Sequence, residues 1–358
     1  MPHHLPMTAA TPWRDALPFV AMNARNDRAT ARLDWTRSVL GSSDLTLETA
    51  SSDASFRSYW RTSHQSHSYV VMDSPPALED PKPWLAIGAR LADAGVHVPK
   101  VYAQDLEQGF LLLEDLGTQL YLQVLNDANA DALYGDAMNA LLLMQTRLDW
   151  HTLPAFDRDV LQRGWDVMPE WFLGRHLGHA PDQQEQHVLS TAFELVAANA
   201  LEQPRCFVHR DYHSRNLLVV DERNPGVIDF QGALAGPITY DLASLLRDAY
   251  LTWPQARVET WVESHRLRLR EAGVIDATVD RVRFQRWFDL TGLHRHTRVL
   301  GQFYRLWYRD GKPGYLADVP RIYHYVISVA RNYPELDDFV TLLERHAQGR
   351  DLTQVAAA

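Results

Sequence analysis

Apolar and polar positions change rhythm twice along this chain. Residues 27–40, DRATARLDWTRSVL, set Leu33, Trp35 and Leu40 among charges, and this predicts an amphipathic helix ended by Gly41. From residue 44 the period shortens. LTLETASSD, SFRSYWRTS and HSYVVMDSP are short β-rich runs separated by Ser/Asp-rich and Gln/Ser/His turns, and they predict antiparallel strands. Pro75-Pro76 stops the last of them. Residues 83–95 predict a helix with Trp84, Ile87 and Leu91 on one face, and VPKVYAQD and GFLLLED predict two more strands before Leu116-Gly117. From about residue 118 helical spacing takes over. Core helices are expected over 130–148 and 183–202, and again over 241–252, 256–272, 277–308, 319–332 and 335–347. Between these two groups, the short strands CFVH and LLVV flank residues 209–216, and Asn224-Pro225-Gly226 turns the chain back into VIDF. No repeat or heptad array is present. The expected fold class is α+β with two lobes: a small β-rich lobe over 21–116 and a large, mainly helical lobe over 117–358. Residues 1–20 are expected to be loosely ordered. Ligands favour the clefts of such two-lobed proteins.

Composition narrows the function classes. The 358 residues suffice for two medium domains, and 46% hydrophobic with 22% charged residues is ordinary for a soluble globular protein. A net charge of −10 argues against a general nucleic-acid binder. Cys206 is the single cysteine, so no intrachain disulfide forms and a reducing, cytoplasmic setting is expected. No apolar run approaches the length of a membrane span, and the N-terminal stretch lacks the apolar core of a secretory signal. The expected partners are a small-molecule substrate and a nucleotide, with no membrane and no nucleic acid.

The chemistry concentrates in residues 205–245. His209-Arg210-Asp211-Tyr212-His213-Ser214-Arg215-Asn216 fits the kinase catalytic-loop pattern H-R-D-x-x-x-x-N, and Asp229 follows 13 residues after Asn216 in a strand-like run. Phosphoryl transfer needs a carboxylate to orient and deprotonate an acceptor hydroxyl, and oxygen ligands for Mg²⁺ on the phosphates. In this pattern Asp211 is the base, and Asn216 and Asp229 are the metal ligands. Any one of these elements alone would read as a turn or a strand cap. Their conjunction favours a two-lobed, protein-kinase-like fold. His209 is expected to fix the loop backbone. Asp241 is either a helix N-cap or a buried acceptor that holds the loop. His213, inside the loop, is a candidate for contact with a phosphate or the acceptor.

HRDYHSRN resembles the H-x-D-x-H-x-x-N loop of the aminoglycoside phosphotransferase-like kinases. VIDFQGA resembles their second, metal-binding motif, and GPITYDLASLLRD their following helix start. DASFRSYWR, YVVMDSPP, AGVHVPKVYAQD, GFLLLEDLG and RDGKPGYLADVPR resemble the anomeric amino-sugar kinases of bacterial cell-wall recycling, which act on N-acetylmuramate and N-acetylglucosamine. The resemblance covers roughly 44–332. It implies that ATP and Mg²⁺ are used to phosphorylate a sugar C1 hydroxyl. Two readings stand beside it: a kinase of another small-molecule hydroxyl, or a catalytically silent kinase-fold binding protein.

Two regions depart from the usual kinase pattern or from the rest of this chain. The small lobe has no glycine-rich loop, and Met72 or Asp73 stands where lysine or arginine is usual. Ser55 with Arg57, or Arg61, could contact phosphate instead, since arginine binds phosphate in two-pronged fashion. Adenine is expected on backbone groups of the connection that includes Glu114 and Leu116. Residues 281–309 carry seven arginines and two histidines against one acid, Asp289. A cationic pocket suits an anionic acceptor, and Arg295 and Arg298 lie one turn apart on this segment. The bland alternative is a solvated face pairing with acids elsewhere, with His294 and His296 structural.

Overall fold

The computed structural model describes residues 16–52 and 56–354; side chains are described for 27–50 and 56–354. Most of the stretch expected to be loosely ordered, and Ser55, lie outside the described residues. The chain divides into two compact units: the first runs up to Pro83 and includes Pro99–Asp115, and the second comprises Trp84–Val98 and Leu116 onward. Helix 83–95 therefore contributes almost wholly to the second unit.

In the first unit, helix α1 (Ala16–Leu40) is followed by strands β1 (Glu48–Ser52), β2 (Ser58–His64) and β3 (His67–Asp73). Helix α2 (Lys82–Asp93) then precedes β4 (Val101–Asp105) and β5 (Phe110–Glu114). The strands form one antiparallel sheet in the order β1-β2-β3-β5-β4. The β2–β3 hairpin closes on Gln65 and Ser66, both at positive φ (47° and 66°), the backbone that a two-residue turn requires to match the strand twist. Val71 and Met72 of β3 and Phe110–Leu113 of β5 are buried on both faces of the sheet. Each such side chain contributes about 1.5–3 kcal/mol. Trp35 of α1 covers one face by packing on Phe110 at 5.7 Å. Gly109 has φ +74°, and a Cβ there would sit 1.9 Å from the Ser74 carbonyl oxygen, so only glycine lets β5 start beside β3.

The second unit is helical around two small ribbons. Its elements after α2 are α3 (Tyr121–Val124), α4 (Ala130–Arg147), α5 (Arg158–Met168), a π-helical turn at Pro169–His176, and α6 (Gln183–Leu201). Strands β6 (Arg205–Val208), β7 (Leu217–Leu218), β8 (Gly226–Val227) and β9 (Leu234–Pro237) follow. The unit ends with α7 (Tyr240–Leu246), α8 (Gln255–Glu271), α9 (Arg281–Asp310), α10 (Val319–Ala330) and α11 (Asp337–Ala347). Strand β6 pairs with β9, and β7 with β8, both antiparallel. The helix expected over 241–252 is preceded by β9, and it ends at Leu246 because Arg247 leaves helical backbone.

Helix α9 is the axis of this unit. Every residue from Trp287 to Thr297 is buried, as expected of a helix surrounded on all sides. Asp280 caps its first turn by accepting from the Arg283 amide, and Gly311 ends it in the left-handed conformation at φ 64°. A Cβ on Gly301 would lie 2.3 Å from the Val167 carbonyl, so a side chain here would drive α5 off α9. Among the described residues, no helix is long and apolar enough to cross a membrane.

Candidate active site

Strand β6 delivers the chain to His209, and the loop that follows is held from below by Asp241. The two oxygens of this buried carboxylate accept the amides of His209 (2.6 Å) and Arg210 (2.9 Å). Arg210 has φ +82°, a strain of about 1–3 kcal/mol for a residue with a side chain. The two amide hydrogen bonds to Asp241 hold this backbone in place. Thr239 occupies the N-cap position of α7, so Asp241 serves the loop and not its own helix end. Burial pushes its carboxyl up to about 7 against the pull of the two amides.

His209 is fully buried and bridges the two halves of the site. Its Nε2 donates to the Ile228 carbonyl at 3.1 Å, and its Nδ1 accepts the Asp211 amide at 3.3 Å. One donor and one acceptor define a neutral ring, and burial lowers its pKa to about 4. Tyr212 points down and donates to the Ala137 carbonyl of α4 at 2.8 Å. Ser214 is tied through its amide to the buried Asp248 at 2.9 Å. The loop is thus anchored at four points to the segment after β8, to α7, to α4 and to the segment after α7.

These anchors bring Asp211, Asn216 and Asp229 together. Asn216 Nδ2 donates to the Asp211 carbonyl at 2.9 Å and lies 3.4 Å from Asp229 Oδ2. The Ile228 amide donates to the Asn216 carbonyl at 3.1 Å, which sets the register between the loop and the segment after β8. Asp229 has φ +65°, the second strained non-glycine residue of the site, and Gln231 donates to its Oδ1 at 2.7 Å. Phe230 is buried next to it and packs on Trp84 at 5.0 Å. The Asp211 carboxyl is pushed up by burial. Arg298, His213, Arg295 and His209 together outweigh that and hold it below its usual value, so it is ionised and able to take a proton.

Residues 46–283 match a family described as the phosphotransferase enzyme family. The chain belongs to that family. An N-acetylmuramate/N-acetylglucosamine kinase of Pseudomonas putida is 46% identical over 297 residues, covering 83% of this chain and 87% of that protein. One of Neisseria meningitidis is 37% identical over 316 residues, covering 87% and 93%. Among solved structures, a thermostable mutant of an aminoglycoside phosphotransferase aligns with a TM-score of 0.57 at 17% identity, covering 84% of this chain and 99% of its own. A choline kinase from Streptococcus pneumoniae aligns with a TM-score of 0.57 at 15% identity, covering 82% and 97%. The structural likeness establishes the kinase-like fold, and the chain is a small-molecule kinase by family.

In this phosphotransferase six of the seven arginines of α9 divide into two groups; the seventh, Arg305, has a buried Nε with no hydrogen-bond partner. Arg286 pairs with Glu335 at 3.0 Å, Arg281 and Arg283 lie 3.7 Å from Glu259 and Glu202, and Arg309 pairs with Asp310. These follow the bland reading. Arg295 and Arg298 do not. Arg295 is buried, and its Nη1 has no hydrogen-bond partner. Arg298 donates to the Tyr240 hydroxyl at 3.3 Å. Both act electrostatically on Asp211, and Arg295 also on His213. The His213 ring meets Tyr250 edge-on at 5.7 Å, and its Nδ1 is buried without a partner. His294 and His296 donate to the carbonyls of Leu161 and Arg247 at 2.8 Å each, and these bonds fasten α9 to its neighbours.

The first unit of the phosphotransferase uses its charges differently. Asp73, one of the two residues expected where kinases usually carry a cation, is buried between two arginines of α1. Arg28 Nε reaches it at 2.8 Å and Arg32 Nη1 at 2.7 Å. Arg32 also stacks on Trp60, 3.7 Å from the ring centre. A strand-to-helix ion pair is thus present in the first unit, between β3 and α1. Sequence reasoning missed it because α1 precedes the sheet and lies 41–45 residues away. Arg57 is buried against Glu79 at 3.0 Å, and Arg61 grips Asp115 through two bonds of 2.6 and 3.0 Å. The Glu114 carboxylate accepts the Lys100 amide at 3.1 Å. Leu116 packs where a Cβ on Gly226 would intrude, at 2.9 Å.

Proposed function

We propose that this phosphotransferase moves the γ-phosphoryl group of ATP to the anomeric C1 hydroxyl of N-acetylmuramate or N-acetylglucosamine, in the recycling of cell-wall sugars. The observation that carries the reading is the half-buried Asp211 carboxylate, held ionised beside Arg298 and Arg295 on a loop anchored at four points. The high identity to the two bacterial amino-sugar kinases supports the acceptor class.

Asp211 accepts the C1 hydroxyl proton as the sugar oxygen bonds to the γ-phosphorus. The bond from that phosphorus to the β–γ bridging oxygen breaks, and ADP leaves. The low basicity of Asp211 means that it orients the hydroxyl and collects the proton late, which suits a loose transition state. Asn216 and Asp229 each offer a side-chain oxygen of the hard type that Mg²⁺ prefers, and the two side chains are neighbours, with Asn216 Nδ2 3.4 Å from Asp229 Oδ2. They would hold the ion, whose charge offsets that of the phosphate oxygens. Arg295, with its unpartnered Nη1, and Arg298 would receive an acceptor carboxylate such as the lactyl group of N-acetylmuramate, with His213 at the acceptor edge. For the nucleotide we retain Ser55 and the backbone of Glu114 and Leu116, and set Arg57 aside as a direct phosphate contact. Because the Arg57 guanidinium is committed to Glu79, the amides around Ser55 carry the phosphate contacts in this reading.

An ADP-release assay across amino sugars, aminoglycosides and amino alcohols, with phosphorus NMR of the product, tests the proposal. The expected product carries phosphate on C1, and turnover only with other acceptors would overturn the acceptor. Asp211→Ala is expected to lose 10²–10⁴-fold or more of turnover, on the order of a general base's contribution. It should retain ATP binding in titration calorimetry. Asp229→Ala is expected to abolish the magnesium dependence of ATP binding; an unchanged dependence would refute its role.

A further inference from the structure

We infer that His179, Glu185 and His346 form a site for a single divalent transition-metal ion, best suited to zinc, in the second unit and apart from the loop at 209–229. The three residues come from separate segments: the connection after the π-helical turn, the first turn of α6, and the last turn of α11. Their ligand atoms all lie within 4.8 Å of one another, and this is the one such trio among the described residues. Both imidazoles aim the same nitrogen at the same carboxylate. His179 Nε2 lies 2.6 Å from Glu185 Oε2, and His346 Nε2 lies 2.8 Å from Oε1. The rings are stacked, with centres 3.6 Å apart and planes 19° from parallel.

Two stacked imidazoles on one carboxylate suit a cation better than two protons. Protonating both rings would bring two positive charges face to face against one negative charge. A tautomer shift to Nδ1–H instead frees both Nε2 lone pairs toward one point. The resulting set of two nitrogens and one carboxylate oxygen is what zinc takes when a fourth position stays open to water. The carboxylate is positioned independently of the histidines. Glu185 belongs to a capping box with Asp182, whose amide donates to Glu185 Oε2 at 3.1 Å, which gives the site a supporting hydrogen bond of the kind metal ligands carry. Both histidines keep part of their surface in solvent, and Glu185 is nearly buried, so an ion can enter and still lose most of its water. The ion would staple α11 to α6 and to the connection before it, joining residues up to 167 positions apart.

The test uses the full-length protein, stripped with chelator and titrated with zinc while millimolar magnesium occupies the phosphotransfer site. One equivalent is expected to bind, raising the melting temperature by about 2–4 °C or more at saturation. His179→Ala and His346→Ala are expected to weaken binding at least tenfold and to remove the melting shift. Glu185→Gln, which keeps the shape of the capping box, is expected to weaken it also. Should the histidine variants fold poorly, cobalt uptake by the unmutated protein decides. A tetrahedral visible spectrum that magnesium does not displace and zinc does would support the site. No stoichiometric uptake of zinc or cobalt by the unmutated protein, or uptake unaltered in Glu185→Gln and in both histidine variants, would overturn it.

Discussion

Two sets of arginines in this molecule stand in opposite circumstances. In the first unit, Arg28 and Arg32 close on Asp73, Arg57 on Glu79 and Arg61 on Asp115. In the second unit, Arg295 and Arg298 sit beside Asp211 and form no ion pair among the described residues. The residue type is the same and burial is comparable for Arg32, Arg57 and Arg295. What differs is the counter-charge. A buried cation with a matched carboxylate belongs to the scaffold. A buried cation without one is a cost to the fold, and in the function proposed above that cost is offset by a ligand that supplies the missing charge.

That contrast can be broken by mutation. Asp73→Ala strands two guanidiniums, one of them buried, and is expected to destabilise the protein by about 3–5 kcal/mol in urea unfolding. A loss below about 1 kcal/mol would show that the clamp is ornamental. Arg295→Met removes an unpaired charge and preserves volume, so stability is expected to hold or rise. KM for an anionic amino sugar should increase roughly tenfold to a hundredfold, the worth of one charge-assisted contact. If stability falls and KM is unchanged, the two sets of arginines are alike after all.

A third test uses pH and concerns neutral histidines buried in the second unit. His265, His294 and His296 are buried, and burial lowers them to about 3, 4 and 3. Above the ordinary 6.5 neither the folded nor the unfolded chain protonates them. Below it the unfolded chain takes up protons that the folded chain refuses. Stability should therefore fall with pH from about 6.5 toward 4, at up to about 1.4 kcal/mol per pH unit for each histidine. Urea midpoints at pH 7.5, 6 and 5 check the sign, and a flat profile over that range would contradict it.

How much of this was legible beforehand follows the distance between partners. The loop at 209–216 and Asp229 were readable because the pattern occupies 21 contiguous residues with a fixed spacing. The strands of the first unit were readable from β-rich runs and turns, and α9 from its long apolar period. The Asp73 clamp was not, because an acid at the end of a strand carries no mark of two arginines on a helix far upstream. Strand β9 escaped because Leu234–Pro237 contains glycine and proline and looks like a turn; only pairing with β6 reveals it. Asp241 could be narrowed to two roles from sequence, but choosing between them needed the positions of the His209 and Arg210 amides. The split among the α9 arginines was invisible because a helix passing through the middle of a unit has no single solvent face against which to sort its charges.

The placement of Arg295 and Arg298 on α9 also bears on how acceptor preference can change over time. A specificity element borne on a surface loop shifts by insertion, deletion and rearrangement. Here the candidate elements ride on a rod fixed by Asp280 at one end, by Gly311 at the other and by close contact at Gly301 between them. New preferences would have to arise through single side-chain exchanges on an unmoving frame. Trading a lone buried cation for a neutral residue lifts a burden from the fold, so stability opposes no such step. The route from a charged acceptor to an uncharged one is therefore short and downhill, whereas the return journey requires the protein to bear an unmatched charge again.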